Sequence, residues 1–169
     1  MRPTDNEYPE YFRNYVSLVP EDAILDVLES QIALIETLPG RAGAKETFAY
    51  APGKWSVREL LGHVGDVERV FAYRALTFSR FNAVSLPGFD EETWTPHGHF
   101  AGAPLRELAD EFVALRRANL QMLRRLDEPQ WQAGGLGDNK PITVRALAYV
   151  MAGHVRHHLA ILRDRYGIA

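Results

Sequence analysis

The sequence predicts an all-α protein, a single four-helix bundle with long loops covering one end. Three observations carry that expectation. Four segments place apolar residues at the helical period, and none sustains the period-two alternation of a half-buried strand. Residues that start or stop helices bound each segment. Helices with one apolar stripe each most simply bury those stripes against one another.

The first segment runs from about Pro20 to Leu38. Pro20 suits a first helical turn, Glu21 and Asp22 favour the positive end of the helix dipole, and Pro39-Gly40 follows as a stop. Its stripe is Ile24, Leu28, Ile32, Ile35 and Leu38, with Gln31 inside it. The second runs from about Ser56 to Phe81 and opens on Ser56-Val57-Arg58-Glu59, a capping box in which serine and glutamate satisfy each other's free backbone donors. Pro104 opens the third, which carries Leu105, Leu108, Phe112, Leu115, Met122 and Leu126, includes Asn119, and stops before Pro129. The fourth starts near Thr143, carries Leu147, Val150, Met151, Ile161 and Leu162, and ends at Tyr166-Gly167. The connections 39–55, 82–103 and 129–142 exceed ordinary bundle loops, and loops of that length often serve function. No internal repeat interrupts the pattern.

The 169 residues fit one domain, 1–169, long enough to bury about two-thirds of the unfolded surface. With 22 acids and 19 bases the chain carries −3, which gives no footprint for a nucleic-acid backbone. The pairs Arg116-Arg117 and Arg124-Arg125 are interrupted by acids and apolar residues and read as solvated helix faces. The first residues lack the apolar core of a secretory signal, and no apolar run approaches a bilayer span, so a cytoplasmic protein without membrane partners is expected. There is no cysteine, which removes disulfides, thiolate metal sites and a cysteine nucleophile together. Any metal or nucleophilic chemistry falls to the six histidines and the carboxylates.

Three of those histidines fall on apolar stripes. At about 100° per residue, His63 lands inside the arc of Leu60, Val64, Val67 and Phe71. His154 and His158, four residues apart, land near the middle of the arc of Leu147, Met151, Ile161 and Leu162, while His157 falls at its edge. A lone inward imidazole is more often a hydrogen-bonded core residue than a ligand. Three in one apolar interior leave several nitrogens to satisfy, and a divalent ion resolves this while keeping a coordination position open. Val155 stands where a zincin would carry its glutamate, which excludes that motif.

Other candidates have more than one reading. Asp66 is a fourth ligand, an acceptor that orients an imidazole, or a solvated helix acid. Glu59 belongs to the cap, and Gln31 is either near the site or a polar residue near a bundle end. Trp94 either walls a pocket above the metal or anchors its loop, and His97 and His99 read as surface residues.

The stretch from Tyr50 to Asp66, with Pro52-Gly53-Lys54-Trp55-Ser56 and His63, and the later Gly153-His154-Val155-Arg156-His157-His158 resemble the DinB-like superfamily, in its YfiT-like and bacillithiol-transferase branch. The resemblance covers nearly the whole chain. It implies an up-down-down-up four-helix bundle and a divalent metal at one end of it, with His63, His154 and His158 as ligands. It further implies either transfer of a low-molecular-weight thiol cosubstrate onto a small electrophile, the leading expectation, or metal-assisted hydrolysis. A non-catalytic binding module is the expectation from outside the enzymes. Zinc or nickel is the foremost metal, with iron and manganese as others, and a homodimer is expected because such bundles pair through exposed helix faces. No catalytic or cofactor-binding residue is assigned.

Overall fold

The computed structural model describes residues 2–169. In chain order the helices are α1 (Arg13–Ser17), α2 (Ile24–Glu36), α3 (Leu38–Ala42), α4 (Val57–Ser79), α5 (Glu91–His97), α6 (Leu105–Leu123), α7 (Glu128–Gln132) and α8 (Val144–Tyr166). Three short strands, β1 (Ser85–Leu86), β2 (Gly134–Gly137) and β3 (Lys140–Thr143), form one small sheet. The bundle consists of α2, α4, α6 and α8.

Local chemistry explains where the long helices begin. Ser56 Oγ accepts from the Glu59 amide, and Glu59 Oε2 accepts from the Ser56 amide at 2.7 Å, so the capping box forms as expected. Thr143 Oγ1 accepts from the Ala146 amide to open α8, and Gly167 closes it in the left-handed conformation. The first segment departs from expectation. Its helix begins at Ile24 rather than Pro20, and Pro39-Gly40 lies inside the short α3 instead of ending a helix. Pro39 sits in the first turn of α3, where a missing N–H costs little.

The sheet is a correction to the strand-free expectation. β2 and β3 pair antiparallel around Asp138-Asn139, whose φ values of 55° and 58° match a two-residue hairpin turn of type I′. β2 reads Gly-Gly-Leu-Gly, so it has no side-chain alternation to detect, and β1 adds to it in parallel through two residues. Gly135 lies flat on Phe78 near the C-terminal end of α4, where an added Cβ would fall 2.3 Å from the ring. Connections 82–103 and 129–142 thus join over one end of the bundle. The first connection covers the opposite end, where Lys45 Nζ donates to the carbonyls of Tyr166 and Gly167.

The core falls into two groups that define the topology. One gathers Ile24 and Leu28 from the start of α2, Phe71 and Phe78 from late α4, Leu120 and Leu123 from late α6, and Leu147 and Val150 from early α8. The other gathers Ile35, Leu60, Leu105 and Leu162 from the opposite ends of the same helices. Hence α2 and α8 run one way and α4 and α6 the other, the up-down-down-up order implied by the resemblance. α2 and α4 each pack on both α6 and α8, so the two consecutive helices stand diagonally.

Between these groups lies a buried polar cluster. Arg116, read from sequence as a solvated residue, is 0% exposed. Its Nε and Nη2 donate to the two Glu68 oxygens at 2.8 and 2.9 Å, and its Nη1 donates to Gln31 Oε1 at 2.7 Å. Gln31 Nε2 donates to the Ala152 carbonyl, and Asn119 Nδ2 to Glu68 Oε1. Four helices meet in this cluster, which accounts for Asn119 and for Gln31 far from a bundle end. Among the described residues, no helix is long and apolar enough to cross a membrane.

Candidate metal centre

His63 comes from early α4, and His154 and His158 from successive turns of α8, which packs antiparallel to it. All three side chains are buried. His154 Nε2 stands 3.1 Å from His63 Nε2 and 3.0 Å from His158 Nε2, so the three nitrogens converge on one point. Burial drives all three towards the neutral form: His63 is pushed down to about 4, with His157 as a second cause, and His154 and His158 well below their ordinary value.

The donor set fits a divalent cation. Neutral imidazoles present lone pairs, and a shared proton serves one nitrogen pair at a time, so three converging Nε2 atoms leave a demand that one cation meets. Two nitrogens about 2.0–2.1 Å from a tetrahedral ion stand roughly 3.3 Å apart, close to the separations found here. His158 Nδ1, on the far side of its ring, is buried without a partner. Its orientation therefore comes from packing rather than from the carboxylate or carbonyl that usually holds a ligand histidine.

Flanking aromatics frame the cluster. Trp55 lies over His63 with 4.7 Å between ring centroids, and Tyr15 packs edge-on against His154 and His157 at 5.5 Å each. Gly153 makes that second contact available. A Cβ there would fall 2.0 Å from the Tyr15 carbonyl oxygen, so only glycine lets the N-terminal segment approach α8 this closely. A cavity of about 280 Å³ opens from His63 and His154, while His158 is not part of its lining. Phe12, Tyr15, Phe71 and Phe89 give it aromatic walls, and the β2–β3 turn closes its far end.

The remaining candidates separate cleanly. Asp66 is not part of the histidine group; burial raises its pKa, and its nearest cation is Arg69 at 3.7 Å. Trp94 is 45% exposed and packs on Phe89, so it anchors its loop, while Phe89 walls the cavity. His97 Nδ1 bonds the Thr93 carbonyl on the surface, and His99 adopts a left-handed turn there. His63 is the seventh residue of α4, and His154 and His158 stand near the middle of α8, so the group lies part-way along the α4–α8 seam. Sequence reading missed Tyr15, Trp55 and Arg74 as neighbours of the site. For Arg74 a signal existed, because eleven residues after His63 bring it back to within about 20° on the helix.

Comparison with known proteins agrees with this fold. A curated protein of Oceanobacillus iheyensis, named "putative metal-dependent hydrolase", is 23% identical over 154 residues, spanning 86% of this chain and 88% of its own. YfiT from Bacillus subtilis, described as a probable metal-dependent hydrolase with an unusual four-helix bundle topology, superposes with a TM-score of 0.68 at 19% identity. That match covers 84% of this chain and 89% of YfiT and shows a common fold. The family model of the DinB superfamily matches residues 26–162, a span that includes all three histidines, and the chain belongs to that superfamily.

Proposed function

We propose that the protein is a metal-dependent hydrolase whose ion is held by His63, His154 and His158. The carrying observation is the convergence of three buried imidazole nitrogens at the inner wall of a cavity. The similarity to the Oceanobacillus and Bacillus proteins, each described as a metal-dependent hydrolase, supports hydrolysis over the thiol transfer first expected. A bound divalent ion supplies Lewis acidity, polarising a carbonyl or phosphoryl oxygen and lowering the pKa of water.

The chain's own residues do the rest. The three imidazoles stay neutral at physiological pH because burial disfavours their charged form, which keeps their lone pairs free for a cation. Phe12, Phe71 and Phe89 line the cavity with apolar surface, which excludes bulk water from a bound substrate. Burial pushes the Tyr15 pKa up, so this cavity-lining phenol keeps its proton.

The test incubates metal-loaded and chelator-stripped protein with activated esters and amides, with and without low-molecular-weight thiols. Turnover that requires metal and ignores thiol supports the proposal. Turnover only with thiol overturns it in favour of thiol transfer, and activity that survives complete metal removal overturns both. The homodimer expected from the resemblance remains a proposal, checked by the mass in solution.

A further inference from the structure

Arg74 stands at the far end of the same cavity. His63, Val67, Phe71 and Arg74 all line it from α4, because steps of four, four and three residues keep one face of a helix. Their Cα atoms span about 16 Å from His63 to Arg74, at 1.5 Å per residue. Arg74 is 3% exposed, yet its guanidinium is poorly served. Nη2 donates to the Pro87 carbonyl at 2.8 Å, while Nε is buried with no partner. The guanidinium carbon lies 5.5 Å from the Phe71 ring centroid, and the group packs against the backbone of Gly137, where a Cβ would come within 3.2 Å.

The other charged groups around the cavity neutralise it only in part. Asp138 is close enough to favour the charged form of Arg74, but its Oδ2 is taken by Lys140 Nζ at 2.9 Å. Lys140 itself lies over the Tyr11 ring at the mouth, 5.9 Å from its centroid. Glu91 lines the cavity from the first turn of α5. By contrast Arg116, buried more deeply still, has a bidentate carboxylate. A buried guanidinium without such a partner is costly, and guanidinium is the side chain best suited to bidentate recognition of carboxylate and phosphate.

We propose that Arg74 is an anion-binding residue, and that the substrate is a small, extended molecule with an apolar middle and a carboxylate or phosphate remote from the reacting bond. The anion docks on Arg74, the middle lies between Phe12, Phe71 and Phe89, and the reacting group reaches the histidines. This substrate class rests on the hydrolase reading, whereas the anion site itself does not.

The test is calorimetric titration of metal-free protein, at a pH where the histidines are neutral, with glutarate, inorganic phosphate and neutral glutaramide. Saturable binding of glutarate or phosphate without binding of glutaramide is expected, and the preferred anion identifies the source. Arg74→Gln should weaken that binding at least tenfold and Arg74→Lys by less, while Asp138→Asn, which removes the competing carboxylate, should tighten it. No anion binding to the native chain, or equal binding to Arg74→Gln, overturns the proposal. Should Arg74→Gln fail to fold, unchanged binding in Asp138→Asn overturns it instead. In the metal-loaded protein, Arg74→Gln should raise KM for a carboxylated ester far more than for its neutral analogue. Anion binding without any hydrolysis refutes the hydrolase reading alone; hydrolysis by a protein that binds no anion refutes the Arg74 assignment alone; and hydrolysis without preference for the carboxylated ester refutes the substrate class.

Discussion

Replacing Glu68 with glutamine keeps the side chain's volume and one acceptor but deletes the charge opposite Arg116. In the native chain Glu68 accepts three hydrogen bonds, two from Arg116 and one from Asn119, and is 2% exposed. The variant leaves a fully buried guanidinium with no counter-charge, its acceptors reduced to one neutral amide oxygen at position 68, Gln31 Oε1 at 2.7 Å and the Leu28 carbonyl at 3.3 Å. Breaking one side of a buried pair costs about 3–5 kcal/mol, mostly because the remaining charge is uncompensated. That is a large fraction of a total stability of roughly 5–15 kcal/mol. With a urea slope of about 2 kcal/mol/M, the unfolding midpoint should fall by roughly 2 M with the slope unchanged. The double variant Glu68→Met/Arg116→Met removes both charges and should recover most of that loss. A fall of less than about 0.5 M in Glu68→Gln, or a double variant less stable than the single, would refute the reasoning.

Two further outcomes follow from the same geometry. Gly153→Ala puts a methyl group 2.0 Å from the Tyr15 carbonyl, so the N-terminal segment must move off α8. A loss of about 1–3 kcal/mol in chemical denaturation is expected, with a shift of the His154 ring signals in NMR as the Tyr15 ring moves; unchanged signals would contradict the packing. Stability of the metal-free protein should fall in acid. His63 titrates near 4 when folded against an ordinary value of 6.5 when unfolded, and His154 and His158 lie well below 6.5, so the unfolded chain binds more protons between these values. Stability is therefore full above about pH 6.5 and declines as pH drops towards 4, by up to about 3 kcal/mol from His63 alone. Denaturation midpoints at pH 7.5, 5.5 and 4.5 check this, and a flat profile across that range would contradict neutral burial.

The legibility of the sequence divides along physical lines. α4 and α8 were readable to within two residues because their caps are short-range chemistry: Ser56 with Glu59, and Thr143 with Gly167. The histidine centre was readable because three imidazoles sit in apolar arcs, a mismatch that periodicity exposes. Arg116 was not, since its neighbours in sequence are charged and only Glu68, forty-eight positions away, makes its burial tolerable. The sheet was hidden for the opposite reason: its middle strand is three-quarters glycine and has no face to read. Its hairpin turn, Asp138-Asn139, was legible as turn chemistry but carried no flanking alternation. Arg74 combined both cases, standing on the right face of α4 but gaining its meaning from Pro87 and Gly137 in distant loops.

The most direct test of the metal centre is the stoichiometry of divalent metal bound to the purified protein after reconstitution with zinc, nickel, manganese and iron, measured by elemental analysis beside His63→Ala and His154→Ala. One ion per native chain, lost in both variants while their helical content is retained, is the expected result. Equal metal content in the native chain and the two variants would contradict the convergence of His63, His154 and His158 on a common cation.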